Sequence, residues 1–105
     1  MPYQIIFMTA SNKQEAMNIV RTLLQEHLIA CANVIDEVSS FFWWNKNIEE
    51  QKEVLVIMKS HSEFFKNLSK KVKDIHSYKI PEILAIPITE VSQSYLEWMN
   101  HSLNR

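Results

Sequence analysis

The sequence predicts one α+β domain, with elements in the order β-α-β-β-α-β and a short helix at the end. Three observations predict it. Apolar runs of strand length recur at Tyr3 to Thr9, Glu53 to Lys59 and Ile83 to Thr89. Between them, Ala16, Ile19, Val20, Leu23 and Leu24, and later Phe65, Leu68, Val72 and Ile75, repeat at the spacing of one helix face. Asn45-Lys46-Asn47 then divides two β-rich stretches in a chain with no glycine, where asparagine is the next residue able to hold positive φ. This is the ferredoxin-like order, with an antiparallel sheet. At 105 residues the chain is a single domain, 1–105.

Each element has a local reason. Tyr3 to Thr9 is the first strand. Ser11-Asn12-Lys13-Gln14 offers a capping box, Ser11 as cap and Gln14 reaching back, for a helix that runs to about Glu26–Leu28. Ile29 to Trp44 is β-rich and ends in four consecutive aromatics, Phe41-Phe42-Trp43-Trp44. The Asn-rich tip turns the chain into a third strand, Glu53 to Lys59. Ser62 is placed as the cap of the second helix, whose lysines lie mainly outside its apolar stripe. Ile83 to Thr89 is the fourth strand, and Ser94-Tyr95-Leu96-Glu97 opens the terminal helix, with Trp98, Met99 and Leu103 toward its apolar side.

Composition excludes several classes. Hydrophobic residues are 47% of the chain, a globular value. Eleven Lys+Arg against twelve Asp+Glu leave a net charge of -1, which gives no bulk attraction to nucleic acid or to an anionic membrane. No apolar run approaches the roughly 20 residues that span a bilayer. Ile5-Ile6-Phe7-Met8 is too short for a signal peptide's apolar core. One cysteine, Cys31, makes no intrachain disulfide, and a cytoplasmic location is expected. The lack of glycine also argues against phosphate-cradling loops.

A four-stranded sheet covered by two helices leaves one face open. Strand three is apolar at Val54-Leu55-Val56-Ile57-Met58, and strand two ends in the aromatic run. Each such aromatic buries roughly 150–250 Å² when covered, and together they exceed the few hundred Å² of apolar patch a soluble monomer tolerates. The short terminal helix is too small to shield a whole sheet and a long hairpin. Contact between subunits through Phe41, Phe42, Trp43 and Trp44 is therefore expected.

The loop before strand four concentrates chemistry. His76-Ser77-Tyr78-Lys79-Ile80-Pro81-Glu82-Ile83 packs an imidazole, a phenol and a carboxylate into a segment stiffened by Pro81.

With these blocks in hand, the chain resembles the CutA divalent-cation tolerance family over nearly its whole length. The resemblance rests on Thr9-Ala10 and on Leu28-Ile29-Ala30-Cys31-Ala32-Asn33. It continues through Phe42-Trp43-Trp44 with Ile48-Glu49, Glu53-Val54 with Lys59, the His76-x-Tyr78-x-x-Pro81-Glu82-Ile83 block and Tyr95-Leu96-x-Trp98. It implies a ferredoxin-like fold assembled as a homotrimer, a role with copper and other divalent metal ions, and no established enzymatic reaction. The chain also departs from the family's pattern. Ser77 stands where a proline is usual, Lys79 replaces an acidic residue, and Lys46 sits where the tip often has glycine. Met8 stands where some copper-linked members have cysteine, and Ile75 where they can have a second histidine.

The candidate metal ligands are His76, Cys31 and Met8, an imidazole with soft sulfur that suits copper, weakly or as Cu(I). Each has a plainer role: His76 at a helix C-terminus, Cys31 as a packing cysteine, Met8 as core filler. Tyr78, Glu82 and Lys59 are the expected cleft residues, with Glu82 pairing either Lys59 or Tyr78. His27, His61 and His101 are read as surface residues. No catalytic residue is assigned. A PII-like regulatory trimer holding a small anionic ligand between subunits, and a hydrolase built on Cys31 and His76, are the competing readings.

Overall fold

The expected order of elements is the order of the fold. The structure, a computed structural model, describes residues 1–105. Its elements are β1 (Tyr3–Ala10), α1 (Lys13–Gln25), β2 (Cys31–Trp44), β3 (Asn47–His61), α2 (Phe65–Ile75), β4 (Ile83–Pro87) and α3 (Gln93–Ser102), with a 3₁₀ turn at Ser62–Phe64 before α2. The sheet runs β2-β3-β1-β4, and every adjacent pair is antiparallel.

Side chains alternate across a strand, so the register assigns the two faces. Ile6 opposes Met58, Met8 opposes Val56 and Ala10 opposes Val54. These six are buried with Ala16, Ile19, Val20 and Leu23 of α1 and Leu68 and Val72 of α2. The other face carries Ile5, Phe7, Leu55 and Ile57, flanked by Ile35 of β2 and by Leu84 and Ile86 of β4. Leu84 and Ile86 are each 47% exposed. α3 shields only one end, where Met99 and Leu103 pack with Tyr3 and Ala30.

The hairpin is longer than the apolar run indicated. β3 starts at Asn47 rather than Glu53. Val38–Trp44 and Asn47–Glu53 pair only with each other, because β1 meets β3 from Val54 onward. The result is a two-stranded arm with Phe41 66% and Trp43 71% exposed. A register shift between Ile35 and Val38, with Glu37 at φ 65°, marks the root of the arm.

Without glycine, left-handed positions fall to His27, Glu37, Asn45, Lys46 and Asn104. Asn45 and Lys46 (φ 49° and 67°) make a two-residue turn of the type that suits strand twist, as the Asn-rich tip predicted. His27 closes α1 in a Schellman motif: the Leu28 N–H donates to Leu23 O and the His27 N–H to Leu24 O. Asn104 repeats the device after α3, with Arg105 N–H to Asn100 O and Asn104 N–H to His101 O.

Three local expectations are corrected. The cap of α1 is Asn12, not Ser11, and the residue reaching back is Glu15, not Gln14. The sequence satisfies the capping pattern in two frames, and the chain uses the one that carries a full charge. Ser62 does not cap the second helix; the His61 ring accepts the Glu63 N–H at 3.0 Å instead. His61 is accordingly buried, its ring edge-on to Tyr3 at 4.9 Å, not a surface residue.

Candidate functional site at the end of the sheet

α2 ends at Ile75 because His76 turns extended, at φ -81° and ψ 143°. Its ring is buried under the end of β1. The Nδ1 atom accepts the Tyr78 N–H at 3.0 Å, so the ring proton is on Nε2, which donates to the Thr9 carbonyl at 2.8 Å. Both nitrogens are therefore engaged within the chain. His76 can ligate a metal only by giving up one of these bonds.

The next residue meets α1. The Ser77 N–H donates to Glu15 Oε2 at 2.7 Å, and Glu15 Oε1 accepts the Ser11 N–H and hydroxyl. Burial alone raises the Glu15 carboxyl, but the hydrogen bonds from Ser77 and Ser11 hold it down at about 2.

Tyr78 continues around the sheet end. Its ring lies 4.7 Å from that of His76, and its hydroxyl donates to Glu53 Oε2 at 2.6 Å. Burial, and then the Glu53 carboxylate, raise the Tyr78 phenol above its usual range. Glu53 is buried. On the loop's rim, Glu82 is pushed up by desolvation and by the charge of Glu53. Two carboxylates and a phenol thus share one small region, and a positive charge arriving there is favoured by both acids.

The remaining predicted residues lie elsewhere. Cys31 pairs in register with Lys59, its thiol 3.4 Å from the Tyr95 hydroxyl, and Lys59 donates to Asn33 Oδ1 at 2.8 Å. The Cys31 contact, followed by burial, pushes the Tyr95 phenol up to about 12. Glu53 and Lys59 are six positions apart on one strand, about 20 Å at the usual rise. Lys59 therefore pairs neither Glu82 nor Tyr78, and Cys31 does not approach the loop of its own chain. Met8 is fully buried and points to the helix-covered face, whereas Cys31 points to the open one. The expected set of His76, Cys31 and Met8 is not assembled within one chain, and neither is a Cys31–His76 dyad. No three His, Cys, Asp or Glu side chains form a ready metal cage.

Two residues of this region were not singled out from the sequence. Glu15 had a signal, the acid three residues after an asparagine cap. Glu53 stood out only as part of the Glu53-Val54 block at the head of an apolar run, with no sign of a site role, because its link to Tyr78 spans 25 residues of sequence.

The fold and the sequence that builds it are shared with known proteins. Residues 4–102 match the family model described as CutA1 divalent ion tolerance protein. The chain belongs to the CutA family. A divalent-cation tolerance protein CutA from Pyrococcus horikoshii is 39% identical over 95 residues, covering 90% of this chain and 92% of that one. The Thermus thermophilus protein is 31% identical and covers 94% and 96%. Among solved structures, the periplasmic divalent cation tolerance protein CutA from Archaeoglobus fulgidus superposes with a TM-score of 0.93 at 38% identity, over 96% of this chain and 98% of that one. CutA1 from Oryza sativa gives 0.94 at 30% identity, over 97% and 94%. The fold and the family are therefore those the sequence blocks implied. No helix of this CutA chain is long and apolar enough to cross a membrane.

Proposed function

We propose that this CutA-family chain acts in divalent-cation tolerance as a cytoplasmic homotrimer, without catalysing a reaction, and meets its metal ion at the Tyr78–Glu53–Glu82 end of the sheet. One observation carries the assembly: a sheet face that α3 shields at one end only, and a two-stranded arm, leave large apolar side chains exposed on the single chain. Two-stranded ribbons are marginal alone in water, and patches of this size mark protein contacts. The Glu53 and Glu82 carboxylates would hold the ion, with the Tyr78 hydroxyl orienting Glu53. Oxygen donors suit a hard or borderline divalent cation, so copper enters this reading as Cu(II) and not through the sulfur atoms of Cys31 and Met8.

Calorimetric titration with Cu(II) and Zn(II), repeated on Glu82→Gln, tests the metal reading. It predicts binding that weakens about tenfold or more in the variant. Equal binding by both proteins would overturn it.

A second reading has one observation in its favour. Lys59, with Asn33, Cys31 and Tyr95, makes a polar island on the otherwise apolar open face. A PII-like trimer would place that cation beside a subunit contact, where a small anionic ligand could be held. Loss of ligand-induced stabilisation in Lys59→Gln, with metal binding unchanged, would favour this reading.

A further inference from the structure

The loop from Ser77 to Glu82 makes no backbone–backbone hydrogen bond. What ties it to the helix layer is one carboxylate. Glu15 stands in the first turn of α1, three residues after the Asn12 cap. A helix cap needs only one of its oxygens, and Oε1 fills that need through the Ser11 N–H at 3.1 Å and the Ser11 hydroxyl at 2.9 Å. The other oxygen reaches a segment 62 residues away and takes the Ser77 N–H at 2.7 Å. It also lies 3.9 Å from His76 Nδ1, the atom that accepts the Tyr78 N–H.

We infer that Glu15 is the positioning residue of this loop: its carboxylate, anchored on α1, fixes Ser77 and thereby sets the Tyr78 hydroxyl against Glu53. The functional consequence rests on the reading of that end as the metal contact; the clamp itself does not. Hydrogen bonds to a charged acceptor are stronger than neutral ones. Both oxygens are used, and they are divided between two segments, so a glutamine keeps an acceptor for only one of them. The clamp also explains how a loop with a single proline stays ordered without ladder bonds. Beyond Ser77 its further hydrogen bonds are the Tyr78 N–H to His76, the residue that ends α2, and the Tyr78 hydroxyl to Glu53.

The backbone supplies an independent rescue. His76 already has the extended conformation that a residue before proline must adopt, and Ser77 is not a left-handed position. Ser77→Pro removes the N–H that Glu15 holds but fixes φ by its ring. Loop order should then no longer depend on Glu15.

The experiment is residue-resolved amide hydrogen exchange on the metal-free protein, its Glu15→Ala, Glu15→Gln and Ser77→Pro variants, and the double variant Glu15→Ala/Ser77→Pro. Glu15→Ala should speed exchange of the Tyr78 amide roughly 10- to 100-fold, with the core amides of Ile6 and Val56 unchanged. Glu15→Gln should fall between it and the parent, and carries the comparison if Glu15→Ala does not fold. Ser77→Pro should keep the Tyr78 amide protected, alone and in the double variant. The inference is overturned if the Tyr78 amide is unaffected, if it accelerates in step with Ile6 and Val56, or if the double variant is not rescued. Because the readout is metal-free, it is separate from the Glu82→Gln titration: either result can fail while the other stands.

Discussion

The two faces of the sheet carry much the same chemistry and meet different fates. Ile6, Met8, Val54, Val56 and Met58 vanish beneath α1 and α2, while Phe7, Leu55 and Ile57 on the same strands, with Leu84 and Ile86 beside them, have no such lid. Burial is worth about 25 cal/mol per Å² on either face. The difference therefore lies in what supplies the cover. Two helices of this chain do so on one side, and on the other the chain offers only α3 at one end. The arm sharpens the contrast, since beyond Glu53 neither of its faces has a third strand or a helix against it.

Substitutions on the two sides should fail in different ways. Leu23→Ala, in the helix-covered core, should lower unfolding stability by about 2–5 kcal/mol, measured by denaturant titration. That loss should be present even in a dissociated chain. Trp44→Ala, on the arm, should act mainly on assembly: a buried aromatic lost from a contact costs about 3–5 kcal/mol, seen as a shift of the oligomer toward smaller species on dilution. If Trp44→Ala instead lowered stability equally at every protein concentration, the arm would be an intrachain element and the contrast would break.

Acid should act on the loop end. Glu15 has a folded-state value depressed to about 2 from 4.5, so its contribution is present above the unfolded value and is lost as pH falls between the two. The parent should lose stability over that window, and Glu15→Gln should show a flatter profile in thermal unfolding at graded pH. The smallest effect belongs to the arm's tip. Lys46 occupies a left-handed position at φ 67°, which costs a residue with a Cβ roughly 1–2 kcal/mol. Lys46→Gly should raise stability by up to about 1 kcal/mol by calorimetry; a loss would show that the lysine makes a contact worth more than the strain.

The order of elements was legible because apolar period alone separates strands from helices, and the fold's two central strands are apolar enough to show it. The arm was under-read for the same reason. Ile48-Glu49-Glu50-Gln51-Lys52 is exposed on both faces of the single chain, and its mostly charged and polar residues show no apolar alternation. Sequence alone does not choose between Ser11 and Asn12 as the cap, because two overlapping capping patterns compete and only the tertiary partner Ser77 favours Glu15. The site divided because sequence proximity places His76, Tyr78 and Glu82 together but says nothing of register. That Cys31 faces Lys59 while Glu53 faces Val38 follows from a bulge and a pairing that no local signal announces. The burial of His61 is invisible in the sequence since what surrounds it, Tyr3 and Phe64 with Arg105 close by, comes from three separate segments.

The central claim is that the open face and the arm are covered by other copies of the chain. Sedimentation equilibrium at micromolar concentration tests it most directly, with no metal and no variant required. A single species of three times the 12.4 kDa chain mass is expected. A monodisperse monomer of that mass at the same concentration would contradict it.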